Sequence, residues 1–200
     1  MESNAKKALQ SATIELVAEE GLHGLSMKRV TQRAGVSEAL VYKHFGTKED
    51  LLFSCFMSVH EQIASLFTNL NLLTLNHTKA EMYTAVRLYW MIYFDYLIKH
   101  GNETIFYFAF RDSSYEVKIR EREEEDAKTI FKDFVAFFDV LDSHLHIYEK
   151  VPPALLWCYI LDTTGLYACR VIRGVLPNTP ESIENIWKLF FSGISSFFNS

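Results

Sequence analysis

Residues 24–52 restrict the fold of this chain most, because they encode two short helices, a tight turn and the start of a third helix. Ser26 precedes the first helix, where its hydroxyl can accept a hydrogen bond from an unpaired backbone amide. Gly35 follows that helix and tolerates the positive φ that a sharp helix exit needs. Ser37 is expected to cap the second short helix, and Thr47 the third. A helix, a turn containing glycine and a second helix form a helix-turn-helix, whose second helix enters the major groove of DNA.

The charges in this stretch agree with a nucleic-acid partner. Between His23 and Lys48 the sequence has five basic residues and one acidic residue. Residues 49–200 have 13 basic and 20 acidic residues, and the whole chain has a net charge of −5 and a pI near 5.8. Because the whole-chain pI hides the basic N-terminal segment, the local asymmetry is the better indicator of DNA binding.

Small, apolar and basic residues at fixed spacing make the pattern more specific than a general helix-turn-helix. The run is Gly21-x-x-Gly24-Leu25-Ser26-Met27-x-x-Val30-x-x-x-Ala34-Gly35-Val36-Ser37-x-x-x-Val41-Tyr42-x-His44-Phe45-x-x-Lys48-x-x-Leu51-Leu52. In these positions the chain resembles the DNA-binding domain of the tetracycline-repressor (TetR) family of bacterial transcription regulators. The resemblance covers roughly the first 55 residues, and the rest resembles the family only in length and helical character.

The second short helix is expected to have one side buried, through Val36, Val41 and Phe45, and one side facing the groove. The groove-facing candidates are Glu38, Ala39, Leu40 and Lys43. Lys43 could donate to guanine, and Ala39 or Leu40 could touch a thymine methyl group. Glu38 could accept from a cytosine amino group or discourage approach to phosphate.

The resemblance implies further contacts with the DNA backbone. Tyr42, His44 and Lys48 match family positions that contact sugar and phosphate, and their donor groups suit that role. Lys28 is expected to reach a base or a phosphate. Ser26 and Ser37 are either caps alone or caps that also contact phosphate.

The remainder of the chain is predicted to be helical. An apolar fraction of 49% is ample for a core, and the predicted class is all-α with about nine helices. We expect a three-helix DNA-binding domain over residues 1–50 and a helical effector-binding and dimerisation domain over residues 51–200. A helix from Thr47 to about Asn71 would join them, followed by a loop from Asn71 to Thr78. A single long helix is predicted from Tyr115 to about Leu141.

Aromatic residues are concentrated in the predicted second domain. Of 29 Phe, Tyr and Trp residues, only Tyr42 and Phe45 lie within the first 50 positions. For any one of these side chains an ordinary core position is the simpler interpretation, and the alternative is the lining of a ligand cavity. The resemblance implies an effector pocket with the following candidates: Phe56, His60, Tyr89, Tyr93, Phe106, Phe110, Phe134 and Trp157.

The last two predicted helices have apolar stripes that suit a homodimer interface. A terminal helix this apolar would leave a large exposed hydrophobic surface on a monomer. Two-fold pairing would also present two DNA-binding domains to a palindromic site. The alternative is that the stripes only cover their own core. The interface candidates are Leu155, Tyr159, Thr163, Leu166, Arg170, Trp187, Phe190, Phe191 and Ile194.

Other function classes find little support in the sequence. No phosphate loop, nucleophile elbow or zinc-protease motif is present, so we expect no enzyme and no cofactor. His144 and His146 alone would make a poor metal site. Three scattered cysteines and the lack of an 18-residue apolar run suggest a cytoplasmic protein without a membrane partner. The predicted function is a DNA-binding repressor with a small lipophilic or aromatic effector; the alternative is a DNA-binding regulator controlled by a protein partner or acting architecturally.

Overall fold

Helices form the regular structure of the described residues, 2–68 and 78–199 of the computed structural model. The α-helices are α1 (Glu2–Glu20), α2 (Met27–Ala34), α3 (Glu38–Phe45), α4 (Lys48–Ser65), α5 (Lys79–Lys99), α6 (Gly101–Arg111), α7 (Glu116–Ala127), α8 (Lys132–Leu145), α9 (Pro153–Ile172) and α10 (Pro180–Asn199). A short 3-10 turn, Leu22–Gly24, lies between α1 and α2. The all-α class is confirmed, with ten α-helices in these two ranges rather than about nine.

The single helix predicted from Tyr115 to Leu141 is wrong, because the chain leaves the helix between α7 and α8. The amides of Thr129 and Phe131 both donate to the carbonyl of Asp126, at 3.1 and 2.9 Å. The Thr129 hydroxyl also donates to the Glu125 carbonyl at 3.2 Å. Such side-chain bonds compete with the helical pattern and often bend helices.

The connection between α4 and α5 differs in part from the prediction. α4 ends at Ser65, short of the predicted Asn71. The predicted loop lies outside the described residues, except for Thr78. Thr78 and Glu81 form a reciprocal cap on α5, in which each backbone amide donates to the other side chain at 3.3 Å. This capping box fixes where α5 begins.

Packing divides the chain into two compact units. Unit 1 consists of Met1–Gln62 and His100–Arg122, and unit 2 of Ile63–Lys99 and Glu123–Ser200. Unit 1 therefore adds α6 and the first half of α7 to the helix-turn-helix. The reason is that α6 packs against α1, and its Tyr107 ring stacks on Phe56 of α4. The functional boundary predicted after residue 50 stays a prediction.

In unit 1, α1 holds α2 and α3 in place through apolar contacts. Leu9 and Val17 of α1, Val30 of α2 and Val41 of α3 are fully buried or nearly so. Burial of each such side chain stabilises the fold by about 1.5–3 kcal/mol. The short helices α2 and α3 depend on this packing, because isolated helices of eight residues are unstable in water.

Unit 2 is built on α5, which packs against α9 and α10. Trp90 of α5 stacks on Phe94 and contacts Trp187 of α10, with ring centroids 4.8 and 5.3 Å apart. Arg87 and Glu184 join the same helices by an ion pair of 2.7 Å. α9 is long and apolar enough to cross a membrane, with a mean hydropathy of 1.2, but core helices of globular proteins meet the same criteria.

Candidate nucleic-acid interface

The turn between α2 and α3 has the geometry that the sequence predicts. Ser26 is the N-cap of α2, and its hydroxyl accepts a hydrogen bond from the Arg29 amide at 3.4 Å. Gly35 ends α2 in the left-handed conformation, with φ 66° and ψ 31°. A residue with a side chain is strained there, so glycine sets the angle at which the chain enters α3.

α3 presents one polar face to solvent and one apolar face to α1 and α2. Val41 is fully buried, whereas Tyr42 is 59% exposed. Glu38, Ala39 and Lys43 are also exposed, and Leu40 is half-buried. The structure thus brings four of the predicted contact residues together on the open side of an eight-residue helix.

The two predicted serine caps differ. Ser37 is the N-cap residue of α3 by its backbone conformation, but its side chain makes no capping hydrogen bond. The prediction that its hydroxyl caps α3 is therefore wrong, whereas the Ser26 hydroxyl does cap α2. Both side chains are exposed, so phosphate contact stays a prediction for both.

The start of α4 is fixed by a side-chain cap and by a lysine. The Thr47 hydroxyl accepts from the Asp50 amide at 3.0 Å and donates to the Asp50 carboxylate at 2.6 Å. The Lys48 ammonium donates to the Leu25 carbonyl at 2.8 Å. An ammonium has three donors, so this bond anchors Lys48 to the segment before α2 and leaves its charge near the start of α4.

Two of the basic residues in the segment are neutralised by α1. Arg29 forms a two-pronged ion pair with Glu20, and Arg33 forms another with Glu19, at 2.8 Å for both hydrogen bonds. Hydrogen bonding to Arg33 lowers the pKa of Glu19, and hydrogen bonding to Arg29 lowers the pKa of Glu20. Two of the five positive charges counted between His23 and Lys48 are therefore balanced by carboxylates of α1.

His44 is only half-buried as a residue, but its Nε2 atom is buried within the chain. Its ring meets Phe45 edge-on, with centroids 6.3 Å apart. A phosphate cannot reach this nitrogen unless the ring turns. Lys28, by contrast, is exposed on the first turn of α2.

The N-terminal segment matches known proteins by sequence. The model for bacterial regulatory proteins of the tetR family matches residues 9–55. The HTH-type transcriptional regulator BetI of Rhizobium meliloti is 36% identical over 59 residues, 30% of this chain and 29% of that protein. The fatty acid metabolism regulator protein of Bacillus subtilis is 38% identical over 45 residues, 22% of this chain and 23% of that protein.

Residues 9–55 therefore carry the sequence pattern of the tetR family of bacterial regulatory proteins. The chain spans less than a third of the length of these two curated relatives. The fold, however, is shared over almost the whole length of solved TetR-family structures. A TetR-family transcription regulator from Marinobacter aquaeolei has a TM-score of 0.70 at 19% identity, covering 95% of both chains.

The predicted effector-pocket residues fall into two groups, one in each unit. Phe56, His60, Phe106 and Phe110 belong to unit 1, where all four are buried. Phe56 stacks on His60 with ring centroids 5.1 Å apart, and His60 Nδ1 lies 2.9 Å from the Tyr107 hydroxyl. These side chains fill the contact of α4 with α6.

The second group lies around a small cavity in unit 2. Tyr89, Tyr93 and Phe134 line this cavity, whereas Trp157 lies outside the lining and packs against Phe134 at 5.2 Å. The cavity has a volume of about 30 Å³, room for one or two water molecules. The other lining residues were not predicted from the sequence as part of a pocket: Phe67, Val86, Trp90, Phe137, Phe138, Ile160, Leu161 and Phe190. Their helical spacing resembles that of any core residue, so the sequence has no signal that singles them out.

The side chains that line this cavity are aromatic and aliphatic, and polar groups at or near it are buried or engaged in hydrogen bonds. Burial raises the pKa of Tyr89. Close by, the Trp90 indole donates to the Thr164 hydroxyl at 3.0 Å, and that hydroxyl donates to the Ile160 carbonyl at 2.6 Å. Drug-sized ligands occupy pockets of roughly 300–1,000 Å³. The observed space is therefore too small for such a ligand unless side chains move.

The predicted dimer-interface residues divide by exposure. Trp187, Phe190 and Ile194 are at most 5% exposed, so they pack within their own unit and have little surface for a partner. Tyr159, Thr163 and Phe191 are half-buried, and Arg170 is exposed. Leu155 and Leu166 of α9 and Leu189 of α10 are 61%, 56% and 61% exposed. Leu189 was not among the predicted interface residues, because the apolar periodicity of α10 follows its buried side and Leu189 lies on the exposed side.

Proposed function

We propose that this chain is a homodimeric, sequence-specific DNA-binding transcription regulator that represses from a palindromic operator. The observation that carries the proposal is α3, which is anchored by the buried Val41 and exposes Glu38, Ala39, Tyr42 and Lys43 together. A helix of this kind after a glycine turn is the element that lies in the major groove. The family match supports this role, since the family consists of regulatory proteins.

The exposed side chains of α3 have distinct tasks in this proposal. Lys43 donates to guanine O6 or N7, and Ala39 with Leu40 contacts a thymine methyl group. Glu38 accepts from a cytosine amino group. Tyr42 hydrogen-bonds a phosphate and so sets the register of the helix without reading sequence.

Phosphate contacts elsewhere complete the interface. Lys28, at the exposed start of α2, and Lys48, at the start of α4, add positive charge. Free backbone amides at a helix start also favour anions. Ser26, Ser37 and His44 are secondary candidates, His44 only after its ring turns.

Dimerisation uses the exposed leucines of α9 and α10. Leu155 and Leu166 are exposed and eleven positions apart, about three helical turns, so they share one face of α9. Leu189 is exposed on α10, and a two-fold axis would bury the same leucines from both subunits. Two α3 helices would then face half-sites about 34 Å apart, one turn of DNA, or a multiple of that distance.

The proposal includes a small-molecule effector that releases the protein from its operator. An effector can release the operator only if it binds the DNA-bound and free shapes with different affinity. The aromatic cavity of unit 2 suits a lipophilic or aromatic molecule, provided that binding enlarges it. α4 contributes residues to both units, so it is our candidate for transmitting the change.

A second candidate function is a DNA-binding regulator without a small-molecule effector. The observation in its favour is the cavity volume of about 30 Å³, which is close to that of a filled core. In that case a protein partner would control DNA binding, or the protein would act architecturally.

Selection from a randomised duplex pool tests the DNA-binding proposal. Wild-type protein should enrich a palindromic site, and the enriched duplex should bind far more tightly than a scrambled one. Recovery of no sequence, or of a single half-site bound by monomer, would contradict the proposal.

A thermal-shift screen separates the two candidates. Fatty acids, acyl esters and planar aromatic compounds form a suitable panel, because the similar Bacillus subtilis protein is named a fatty acid metabolism regulator. A ligand at a hundred times its Kd should stabilise the protein by about 2.7 kcal/mol. If such a compound also releases the enriched duplex, the effector proposal holds; if neither the panel nor cell extract shifts the protein, the second candidate is favoured.

A further inference from the structure

The cations that can face DNA are fewer than the sequence suggests. Arg29 and Arg33, two of the five basic residues between His23 and Lys48, are held by carboxylates of α1. Affinity for the DNA backbone depends on how many phosphates are neutralised. A cation close to α3 but outside the motif would therefore add to the affinity for the DNA backbone.

Lys6 of α1 is such a cation. Its Nζ lies 5.8 Å from the centroid of the Phe45 ring, and its side chain is exposed. Phe45 is the last residue of α3, one helical turn after Tyr42. Residues three positions apart are neighbours on a helix surface, so the Lys6 ammonium lies at the last turn of α3, which begins at the exposed Tyr42.

We propose that Lys6 binds a DNA phosphate at the flank of each half-site, next to the phosphate that Tyr42 contacts. The inference rests on the proposed function, because it needs α3 to lie in the major groove. The ligand is a backbone phosphodiester, and the contact carries no sequence preference. α1 thereby acquires a DNA-binding role in addition to its role in the core of unit 1.

The Phe45 ring explains how a long, flexible side chain is held ready for this contact. A cation over an aromatic face is attracted weakly when exposed to water. That attraction keeps the ammonium near α3, yet a phosphate can replace it readily. Successive charges on one DNA strand lie about 3.4 Å apart along the axis, so a second phosphate is available beside the one bound by Tyr42.

The test compares salt dependence in Lys6→Gln, Lys6→Arg and Lys99→Ala. Lys99, on α5 of unit 2, pairs with Asp95 at 2.8 Å and supplies a control with the same loss of charge per chain. The affinity of each full-length variant is measured between about 50 and 300 mM salt, on the duplex enriched by wild type and on a scrambled duplex. Thermal unfolding of each variant is recorded alongside.

Each phosphate contact contributes about 0.9 to the slope of log K against log salt, so loss of one per subunit lowers the dimer's slope by about 1.8. If the lines converge at 1 M salt, Lys6→Gln binds about 60-fold more weakly at 0.1 M. The same change in slope is expected on the scrambled duplex. Lys6→Arg should restore the slope, and Lys99→Ala should leave it unchanged.

Two results would overturn the inference while leaving the proposed function intact. One is an unchanged slope in Lys6→Gln when wild type still prefers its enriched duplex. The other is an equal fall in slope for Lys6→Gln and Lys99→Ala, which would indicate a general effect of net charge. Failure of wild type to prefer any duplex would instead refute the proposed function itself, and the inference with it.

Discussion

Gly193 is an exposed position in the middle of α10 where a single methyl group should destabilise the protein. A Cβ built on Gly193 would lie 2.2 Å from the Tyr159 hydroxyl oxygen and 2.7 Å from its Cζ. Tyr159 lies across this point because its hydroxyl donates to the Phe190 carbonyl at 2.8 Å and its ring stacks on Phe190 at 5.5 Å. Gly193→Ala must therefore displace the tyrosine.

The size of the effect follows from opposing contributions. In the interior of a helix, alanine stabilises the folded state by about 1 kcal/mol relative to glycine. Displacement of Tyr159 loses a hydrogen bond of about 1 kcal/mol, an aromatic pair of similar strength and the burial of part of the ring, about 2 kcal/mol. We expect Gly193→Ala to lower the free energy of unfolding by about 1–3 kcal/mol, or the melting temperature by several degrees.

A double-mutant cycle with Tyr159→Ala makes the reasoning refutable. Urea unfolding is measured at one protein concentration for wild type, both single variants and the double variant, since dimerisation would make stability depend on concentration. In the Tyr159→Ala background the clash is absent, so Gly193→Ala should stabilise by up to about 1 kcal/mol. The same sign in both backgrounds, or stabilisation in wild type, would refute the account of this contact.

Three further variants test other parts of the structure. Thr164→Val should lower the free energy of unfolding in urea by about 1–3 kcal/mol, because it leaves the buried Trp90 indole N–H without its acceptor. Thr164→Ser keeps a hydroxyl and should retain most of that stability. Equal losses in the two variants would contradict the role of the hydroxyl. Burial raises the pKa of the Cys55 thiol well above its usual range, so the unfolded chain loses this proton first as pH rises. Stability should then fall above about pH 9 more steeply in wild type than in Cys55→Ala, by up to about 1.4 kcal/mol per pH unit, and parallel profiles would contradict the assignment. Leu166→Glu should weaken the dimer in sedimentation equilibrium. The control Leu88→Glu should not, although Leu88 of α5 is 54% exposed and Leu166 is 56% exposed. Equal dimer affinities of the two variants would contradict an interface formed by α9 and α10.

The helix-turn-helix was predictable because its determinants are local. Ser26 and Gly35 act through neighbours a few positions away in the chain, by capping and by a positive φ. Val41 is buried against other helices, but the local apolar spacing of α3 already marks its side as the buried one. Where a determinant is subtler, prediction failed even locally. Ser37 occupies the N-cap position of α3 as Ser26 does in α2, but its hydroxyl makes no capping hydrogen bond. Thr129 helps to end α7 without a glycine or proline nearby.

The candidate sites were less predictable because they depend on contacts between distant residues. The pairing of Arg33 with Glu19 balances one of the positive charges counted between His23 and Lys48, and no spacing rule would indicate that pairing. Apolar periodicity identified α10 but could not tell which apolar residues are buried. Trp187 packs in the core whereas Leu189 is exposed, although they are two positions apart.

The central claim is that the exposed face of α3 reads base pairs, and the most direct measurement is a specificity profile. Wild type, Lys43→Ala and Tyr42→Phe are each measured against every single-base variant of the enriched duplex. Lys43→Ala should abolish a preference of about 1–3 kcal/mol at one symmetric pair of positions, whereas Tyr42→Phe should weaken binding equally on all duplexes. A uniform loss for Lys43→Ala, or unchanged binding by both variants, would contradict the claim.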